Sequence, residues 1–327
     1  MDCCLKNIGM SFLTLTDEDV KKSITMAEAI EAMVGAFTEI SSGEVDVPVR
    51  TALASGQHNG TLLSMPAFSK VKNLFSVKVV SVFPENRAKA TPTIQGKVML
   101  VDGKNGRPLA LIDAAYLTAL RTGAASGLAT KLFSQPDALV LAVFGTGAQA
   151  FTQVEGVLAV RGIKKILVKG QSAEGERKFC NQITEAFSLA AVPFARADDL
   201  LNADIICTAT NSMSPVFEGH HVKPGAHINA IGGYRADMQE VPSSVLQHAL
   251  LIVDQRKAVL EEAGDIVIPI REKIISANAM VELGECLADK TFRKTDGRIT
   301  FFKSVGNAAQ DLAIGDLLIR KYNNPFP

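Results

Sequence analysis

Apolar residues recur along this chain in two rhythms, and the change between them falls near residue 138. In the first part, helical spacing of apolar positions runs from Ala27 to Ile40, and Thr25-Met-Ala-Glu28 ahead of it is the reciprocal capping pattern that opens such a helix. Phe12–Leu15 before it, and Thr61–Met65, Leu74–Val82 and Gly96–Asp102 after it, are short apolar runs that read as strands. The turn Asp102-Gly-Lys-Asn-Gly106 leads to a further strand at Pro108–Ile112, and Asp113 is the candidate cap of a long helix, Ala114–Phe133. That helix is rich in alanine and glycine, which suits close packing between backbones. The pattern predicts a mostly antiparallel sheet with helices on one face.

From Ala138 the order becomes strand, helix, strand, with strands near Leu139, Ile166, Val192, Ile205, Ile228 and Leu251. Regular alternation of this kind specifies a doubly wound parallel sheet. The fold class is therefore α/β, a Rossmann-type parallel sheet joined to a second, α+β domain. The tail, Ile299–Phe302 followed by Ser304-Val-Gly306 and a helix from Asn307 to Tyr322, either completes the parallel sheet or returns to the first domain.

Where the rhythm changes, the apolar run Ala138–Phe144 turns into a helix through Gly145-Thr-Gly-Ala-Gln-Ala150, a G-x-G-x-x-A pattern. Gly145 permits the tight turn, and Gly147 lacks the Cβ that would keep a pyrophosphate off the backbone. Ala150 lets the helix, read as Ala148–Arg161, pack on the sheet. The free N–H groups of its first turn face the phosphates, so no lysine is needed there. An apolar strand before the loop and a second strand, Lys165–Lys169, after the helix make this a dinucleotide site rather than an ordinary turn.

An acidic residue about 20 positions beyond the glycines would bond the adenosine ribose 2′-hydroxyl of NAD. This chain has Val168-Lys-Gly-Gln-Ser172 there instead. With no carboxylate in that stretch, and with Lys169, Gln171 and Ser172 able to meet a 2′-phosphate, NADPH is expected over NADH. Arg177 on the following helix is a weaker candidate for the same contact.

Composition narrows the partners. Lysine plus arginine and aspartate plus glutamate are 34 each, which removes the electrostatic case for nucleic acid or an anionic membrane as partner. No apolar stretch approaches the ~20 residues of a membrane span, and no secretory leader is legible, so the expectation is a cytoplasmic protein acting on a small molecule. At 327 residues two domains are the default, and a hydrophobic fraction of 47% supplies both cores. Cys3, Cys4, Cys180, Cys207 and Cys286 lack metal or redox spacing and read as reduced thiols, Cys207 as a strand core residue. Met10 is a second candidate start. The five histidines form no metal-ligand array, and His220-His221 falls in a polar loop.

Charges inside apolar runs must be paired or must line a cavity. Arg50 follows Val47-Pro48-Val49, Lys78 interrupts Phe75–Phe83, and Arg121 interrupts the small-residue helix. Asp237 lies just past the strand near Ile228, at the sheet edge where α/β folds bind ligands, although Asp237-Met-Gln-Glu240 is also a capping-box pattern. Thr208-Ala-Thr-Asn-Ser212 ends another strand and is placed to border a nicotinamide.

In this order Arg50, Lys78 through Phe83-Pro-Glu-Asn86, Thr93-Ile-Gln-Gly96, Ala119-Leu-Arg-Thr-Gly123, Gly145-Thr-Gly-Ala-Gln149, Thr208-Ala-Thr210, Ile231-Gly-Gly233 and Ser304-Val-Gly306 resemble the ornithine cyclodeaminase and mu-crystallin family over nearly the whole chain. The resemblance implies a homodimer, with residues 1–125 and 306–327 forming the substrate-binding and dimerisation domain and residues 126–305 the dinucleotide domain. Cyclodeaminases carry an acidic residue directly after the glycine pair, where this chain has Tyr234. Tyr234-Arg-Ala-Asp237-Met-Gln-Glu240 resembles instead the ketimine reductase branch, whose substrates are Δ1-pyrroline-2-carboxylate and Δ1-piperideine-2-carboxylate.

The resemblance assigns Arg50, Lys78 and Arg121 to the substrate carboxylate, with Lys78 and Asp237 catalytic and Asp237 stabilising the iminium or relaying its proton. Thr93 is a further substrate contact. Gly145, Thr146, Gly147, Ala148, Gln149, Thr208, Ala209, Thr210 and Ser304 join Lys169, Gln171 and Ser172 around the cofactor. Alanine dehydrogenase or cyclodeaminase activity, or plain binding of NADPH or a small carboxylate ligand, are the competing expectations.

Overall fold

The computed structural model describes residues 12–89, 91–293 and 295–323; Cys3, Cys4 and Met10 lie outside them. The first sheet is built from β1 (Leu13–Leu15), β2 (Val45–Asp46), β3 (Thr51–Ser55), β4 (Gly60–Ser69), β5 (Leu74–Val82), β6 (Ile94–Asp102) and β7 (Pro108–Asp113). Its order is β1-β7-β6-β5-β4-β2, with β3 also on β4, and every pairing except β1–β7 is antiparallel. Helices α1 (Asp17–Ser23), α2 (Met26–Ser42) and α3 (Ala114–Phe133) belong to this half.

Beyond α3 come β8 (Val140–Phe144), α4 (Ala148–Leu158), β9 (Lys165–Lys169), α5 (Ala173–Phe187), β10 (Ala191–Pro193), β11 (Ile205–Thr208) and β12 (His227–Ala230). The short α6 (Ser243–Leu246) precedes β13 (Leu250–Val253), α7 (Arg256–Glu262), α8 (Gly264–Arg271), β14 (Met280–Glu282) and α9 (Leu283–Ala288). β15 (Thr300–Lys303) and α10 (Ala308–Asn323) end the described chain. The second sheet is parallel throughout, in the order β10-β9-β8-β11-β12-β15-β13-β14. The chain winds outward from β8 through β9 in one direction and from β11 through β12 in the other. The crevice at the carboxyl ends of β8 and β11 is thus the switch point where such sheets bind ligands.

Strands β5 and β9 and helix α3 have the bounds that their apolar patterns predict. Thr25 and Glu28 make the expected capping box on α2. The tail divides: β15 slots between β12 and β13, while α10 buries Ala309, Leu312, Ala313 and Ile314 in the core of the first sheet. Cys207 is buried in β11, and burial pushes its thiol up to about 12.

Three local expectations are corrected. Helix α4 stops at Leu158, because Arg161 turns aside to donate to the carbonyls of Thr130, Lys131, Ser134 and Gln135 at the end of α3. Asp113 makes no side-chain cap on α3, its carboxylate being held by Lys97. Asp237-Met-Gln-Glu240 opens no helix, since Glu240 is drawn into the interior instead. Helix α1 has no apolar period to announce it, because Val20 is its sole buried residue.

Candidate active site

The glycine loop joins β8 to α4 as its sequence requires. Gly145 has φ +112, and a Cβ there would lie 2.4 Å from the carbonyl oxygen of Ala209. Gly147 caps α4, and a Cβ on it would meet nothing within 4 Å, so the space above the helix N-terminus is open. Ala148 begins the helix, Ala150 is fully buried beneath it, and the side-chain Oε1 of Gln149 is shielded without a hydrogen-bond partner. Open space over free helical N–H groups, with an unused polar atom beside it, fits a dinucleotide pyrophosphate.

Beside it, the carboxyl end of β9 differs from expectation. Glu176, from the first turn of α5, brings a buried carboxylate to this strand end, where its Oε1 accepts from the Gly170 N–H at 3.0 Å and lies 3.1 Å from Lys169 Nζ. The strand end is therefore not free of acid. Lys169 is paired and the Ser172 hydroxyl caps α5 by accepting from the Gly175 N–H, while Gln171 and Arg177 are exposed. The N–H bond from Gly170 and the Lys169 ammonium hold the Glu176 carboxyl below its usual range despite burial.

On the other side of the switch point, Glu240 ties together the ends of β11 and β12. Its carboxylate accepts from Thr208 Oγ1, from the N–H and hydroxyl of Thr210, and from the N–H groups of Gly232 and Gly233, at 2.6 to 3.1 Å. Behind it, Asp265 accepts from the Glu240 and Val241 N–H groups and pairs with Lys303 at 2.8 Å, both side chains fully buried. Burial pushes the Glu240 carboxyl up while Lys303 opposes the rise. The hydroxyls of Thr208 and Thr210 thus face Glu240, leaving Ala209 as the residue of this turn that touches the glycine loop.

The three cations flagged in the sequence converge. Lys78 on β5 and Arg121 on α3 are both buried, and both reach Asp311 on α10: Lys78 Nζ lies 2.8 Å from Asp311 Oδ2 and Arg121 Nε 3.2 Å from Oδ1. Arg121 also donates to Gln310 at 2.8 Å. Arg50 approaches from the segment between β2 and β3, donating to the carbonyls of Val305 and Gly306 and pairing with Glu262 of α7 at 2.7 Å. The floor is the turn after β15, where Asp254 accepts from Ser304 Oγ and from the N–H groups of Val305 and Gly306. Gly306 has φ +73, and a Cβ on it would lie 2.2 Å from Arg121 Nη1. The cluster therefore stands at the carboxyl edge of the parallel sheet, two residues along α3 from Gly123, which abuts Thr152 of α4.

Desolvation, with Arg121 and Arg50 nearby, lowers the Lys78 ammonium to about 8 in spite of Asp311. Burial raises the Glu262 carboxyl against the pull of Arg50, and raises that of Asp254.

Not every expected residue joins this cluster. Asp237 is exposed and forms a two-point ion pair with Arg235, at 2.9 and 2.5 Å. Thr93 meets Phe83 through its backbone carbonyl, and the Ser304 hydroxyl is spent on Asp254. Conversely, the sequence pattern assigns no site role to Asp311, Glu262 or Asp254, and Glu240 enters it only as part of a longer motif. Asp311 carried a signal, a carboxylate within the apolar stretch Ala308–Ile314, of the same kind that marked Lys78 and Arg121.

A model of the ornithine cyclodeaminase/mu-crystallin family matches residues 11–323. The Δ1-pyrroline-2-carboxylate reductase of Bacillus cereus is 38% identical, over 95% of this chain and 95% of its own length. The ketimine reductase mu-crystallin of Mus musculus is 31% identical, over 94% and 95%. Among solved structures, the Δ1-pyrroline-2-carboxylate reductase of Thermococcus litoralis in complex with NADH and L-proline superposes with a TM-score of 0.91, at 36% identity over 96% of this chain and 98% of that one.

Proposed function

From the premise that the chain belongs to the ornithine cyclodeaminase/mu-crystallin family and is an oxidoreductase, we propose that it reduces cyclic ketimines, Δ1-pyrroline-2-carboxylate to L-proline and Δ1-piperideine-2-carboxylate to L-pipecolate. The observation that carries this reading is the buried meeting of Lys78, Arg121 and Arg50 beside the turn Ser304–Gly306, next to a loop built for a dinucleotide. Lys78 and Arg121 share the one carboxylate of Asp311 and Arg50 pairs with Glu262, so three cations meet two direct partners and suit one further small carboxylate, and Arg50 keeps Nε and Nη1 clear of the bonds its Nη2 makes.

The glycine loop, Gln149 and the Ala209 turn would hold a reduced nicotinamide dinucleotide, NADPH or NADH, which supplies the hydride that the imine carbon C2 accepts. The chain's own contribution is charge and position. Arg50 and Arg121 hold the carboxylate and so fix the ring. Lys78, an ammonium with a pKa of about 8, keeps the ring nitrogen protonated, and a protonated C=N makes C2 electrophilic. Asp311, paired with both Lys78 and Arg121, holds the ammonium in place. Asp237, in its exposed pair with Arg235, is outside this arrangement.

Residues 1–125 with 306–327 serve substrate binding and dimerisation, and 126–305 the dinucleotide. On the first sheet, Leu53, Leu62, Phe75, Val79 and Met99 share the face opposite Lys78 and are exposed, an apolar surface fit for a second copy. Among the described residues no helix is long and apolar enough to cross a membrane. Buried thiols at Cys180 and Cys207 are compatible with a reducing compartment, and we assign the enzyme to the cytoplasm.

The test is oxidation of NADH and NADPH with each imine, alongside pyruvate plus ammonia, and ornithine consumption. Imine-dependent oxidation, reduced about a hundredfold or more in Lys78→Ala, is the expected result. Turnover of pyruvate or ornithine with silence on both imines would move the chain to alanine dehydrogenase or cyclodeaminase chemistry. Silence on every substrate with retained dinucleotide affinity would favour a binding protein.

A further inference from the structure

The carboxyl end of β9 holds a carboxylate that no motif announces. In a doubly wound fold this strand end, one crossover from the glycine loop, faces the adenosine ribose. Glu176 reaches it from the first turn of α5, and its side chain is 8% exposed. Oε1 is occupied by the Gly170 N–H and Lys169 Nζ, whereas Oε2 has no hydrogen bond from the described residues. A free acceptor is thus fixed at the strand end.

The surrounding contacts tie that carboxylate to the cofactor loop. A Cβ on Gly170 would lie 2.8 Å from Thr146 Cγ2 and 3.3 Å from Glu176 Cγ. Thr146 of the glycine loop, Gly170 and Glu176 therefore form one wall, and Gly170 is small so that the other two can close over it. Lys169 and Arg177 are the cations that bear on the Glu176 carboxylate, with Lys169 Nζ 3.1 Å from its Oε1. The lysine nearest the strand end is already paired with that carboxylate. A ribose hydroxyl can donate to Oε2, but a 2′-phosphate would bring its negative charge against a fixed carboxylate that already holds the nearest lysine.

We propose that Glu176 selects NADH over NADPH, accepting a hydrogen bond from the adenosine ribose 2′-hydroxyl and repelling a 2′-phosphate. This reverses the expectation drawn from Lys169, Gln171 and Ser172, because those residues are paired, exposed or capping α5. It rests on the dinucleotide reading of the glycine loop and is independent of which substrate is reduced.

The experiment is equilibrium binding, followed by nicotinamide fluorescence for NADH and NADPH and by calorimetry for ADP-ribose and its 2′-phosphorylated form. The native chain should bind the unphosphorylated member of each pair about tenfold or more tightly. Glu176→Gln keeps an acceptor for the Gly170 N–H and frees Lys169. It should shrink both ratios about tenfold, chiefly by tightening the phosphorylated ligands. Preference of the native chain for NADPH would overturn the proposal, whatever the variant does. So would ratios that move less than about twofold in a folded Glu176→Gln protein. Discrimination between the dinucleotides without imine turnover would support Glu176 while sinking the ketimine reading, and failure to bind either dinucleotide would sink both.

Discussion

Lys78 and Asp311 make a pair whose behaviour with pH separates catalysis from stability. The ammonium is lowered from 10.5 to about 8 by burial, so between those values the unfolded chain holds a proton that the folded chain has released. Stability from this group therefore rises with pH across that window and is lost as pH falls through about 8. Activity should run the other way, because protonating the ring nitrogen needs the charged form. We expect kcat/KM for the imine to fall about tenfold per pH unit above the Lys78 pKa, a decline that unfolding through this group does not explain. Lys78→Arg should abolish that limb, and Asp311→Asn, by removing the anion that supports the ammonium, should move it to lower pH. An unshifted limb in Asp311→Asn would refute the coupling. Asp311→Ala should also cost about 3–5 kcal/mol in denaturant unfolding, since it strands two buried cations. The sequence exposed both cations as charges in apolar runs, and Asp311 bore the same mark. Their meeting was not legible, because it joins residues 78, 121 and 311 through three elements distant in the chain. Glu176 was hidden differently: a spacing rule looks at the end of β9, and this carboxylate arrives there from the next helix.

Among the elements, helix α3 is the one on which both halves depend. It places Arg121 in the cluster and, two residues later, lays Gly123 against α4, the helix that follows the glycine loop. A Cβ on Gly156 would stand 2.2 Å from the Gly123 carbonyl oxygen, and one on Gly123 would stand 2.3 Å from that of Thr152. Backbone oxygens cannot rotate away, so the two helices would have to separate. Gly156→Ala should lower stability by about 1–3 kcal/mol and weaken dinucleotide binding with it. Gly35 in α2 is the opposite case: a Cβ there meets nothing within 4 Å, and Gly35→Ala should stabilise by about 0.5–1 kcal/mol. Equal effects of the two substitutions, read by chemical denaturation, would contradict the close approach. The small-residue character of α3 was plain in the sequence, as was its tight packing role. Which of its glycines touches the neighbour was not, because residue size gives the distance of approach and leaves the crossing point open.

At the scale of the whole molecule, the alternation of strand and helix after residue 138 gave away the parallel sheet, whereas the insertion of β15 between β12 and β13 depends on contacts that no local pattern records. The first sheet poses the complementary problem. Its inner face is covered by helices and carries Lys78, while period-two alternation turns Phe75 and Val79 outward beside Met99, with Leu62 and Leu53 on the adjoining strands. Exposed side chains of this kind on a hydrogen-bonded sheet gain from burial, so a second copy meeting the same face is the expected partner. Sedimentation equilibrium should give twice the chain mass of 34.8 kDa. Val79→Glu combined with Met99→Glu should yield a monomer of unchanged helix content, because both positions point away from the core that α10 completes. A native chain that sediments as a monomer would leave this face without a dimer role, and a dimer that survives both glutamates would move the interface elsewhere.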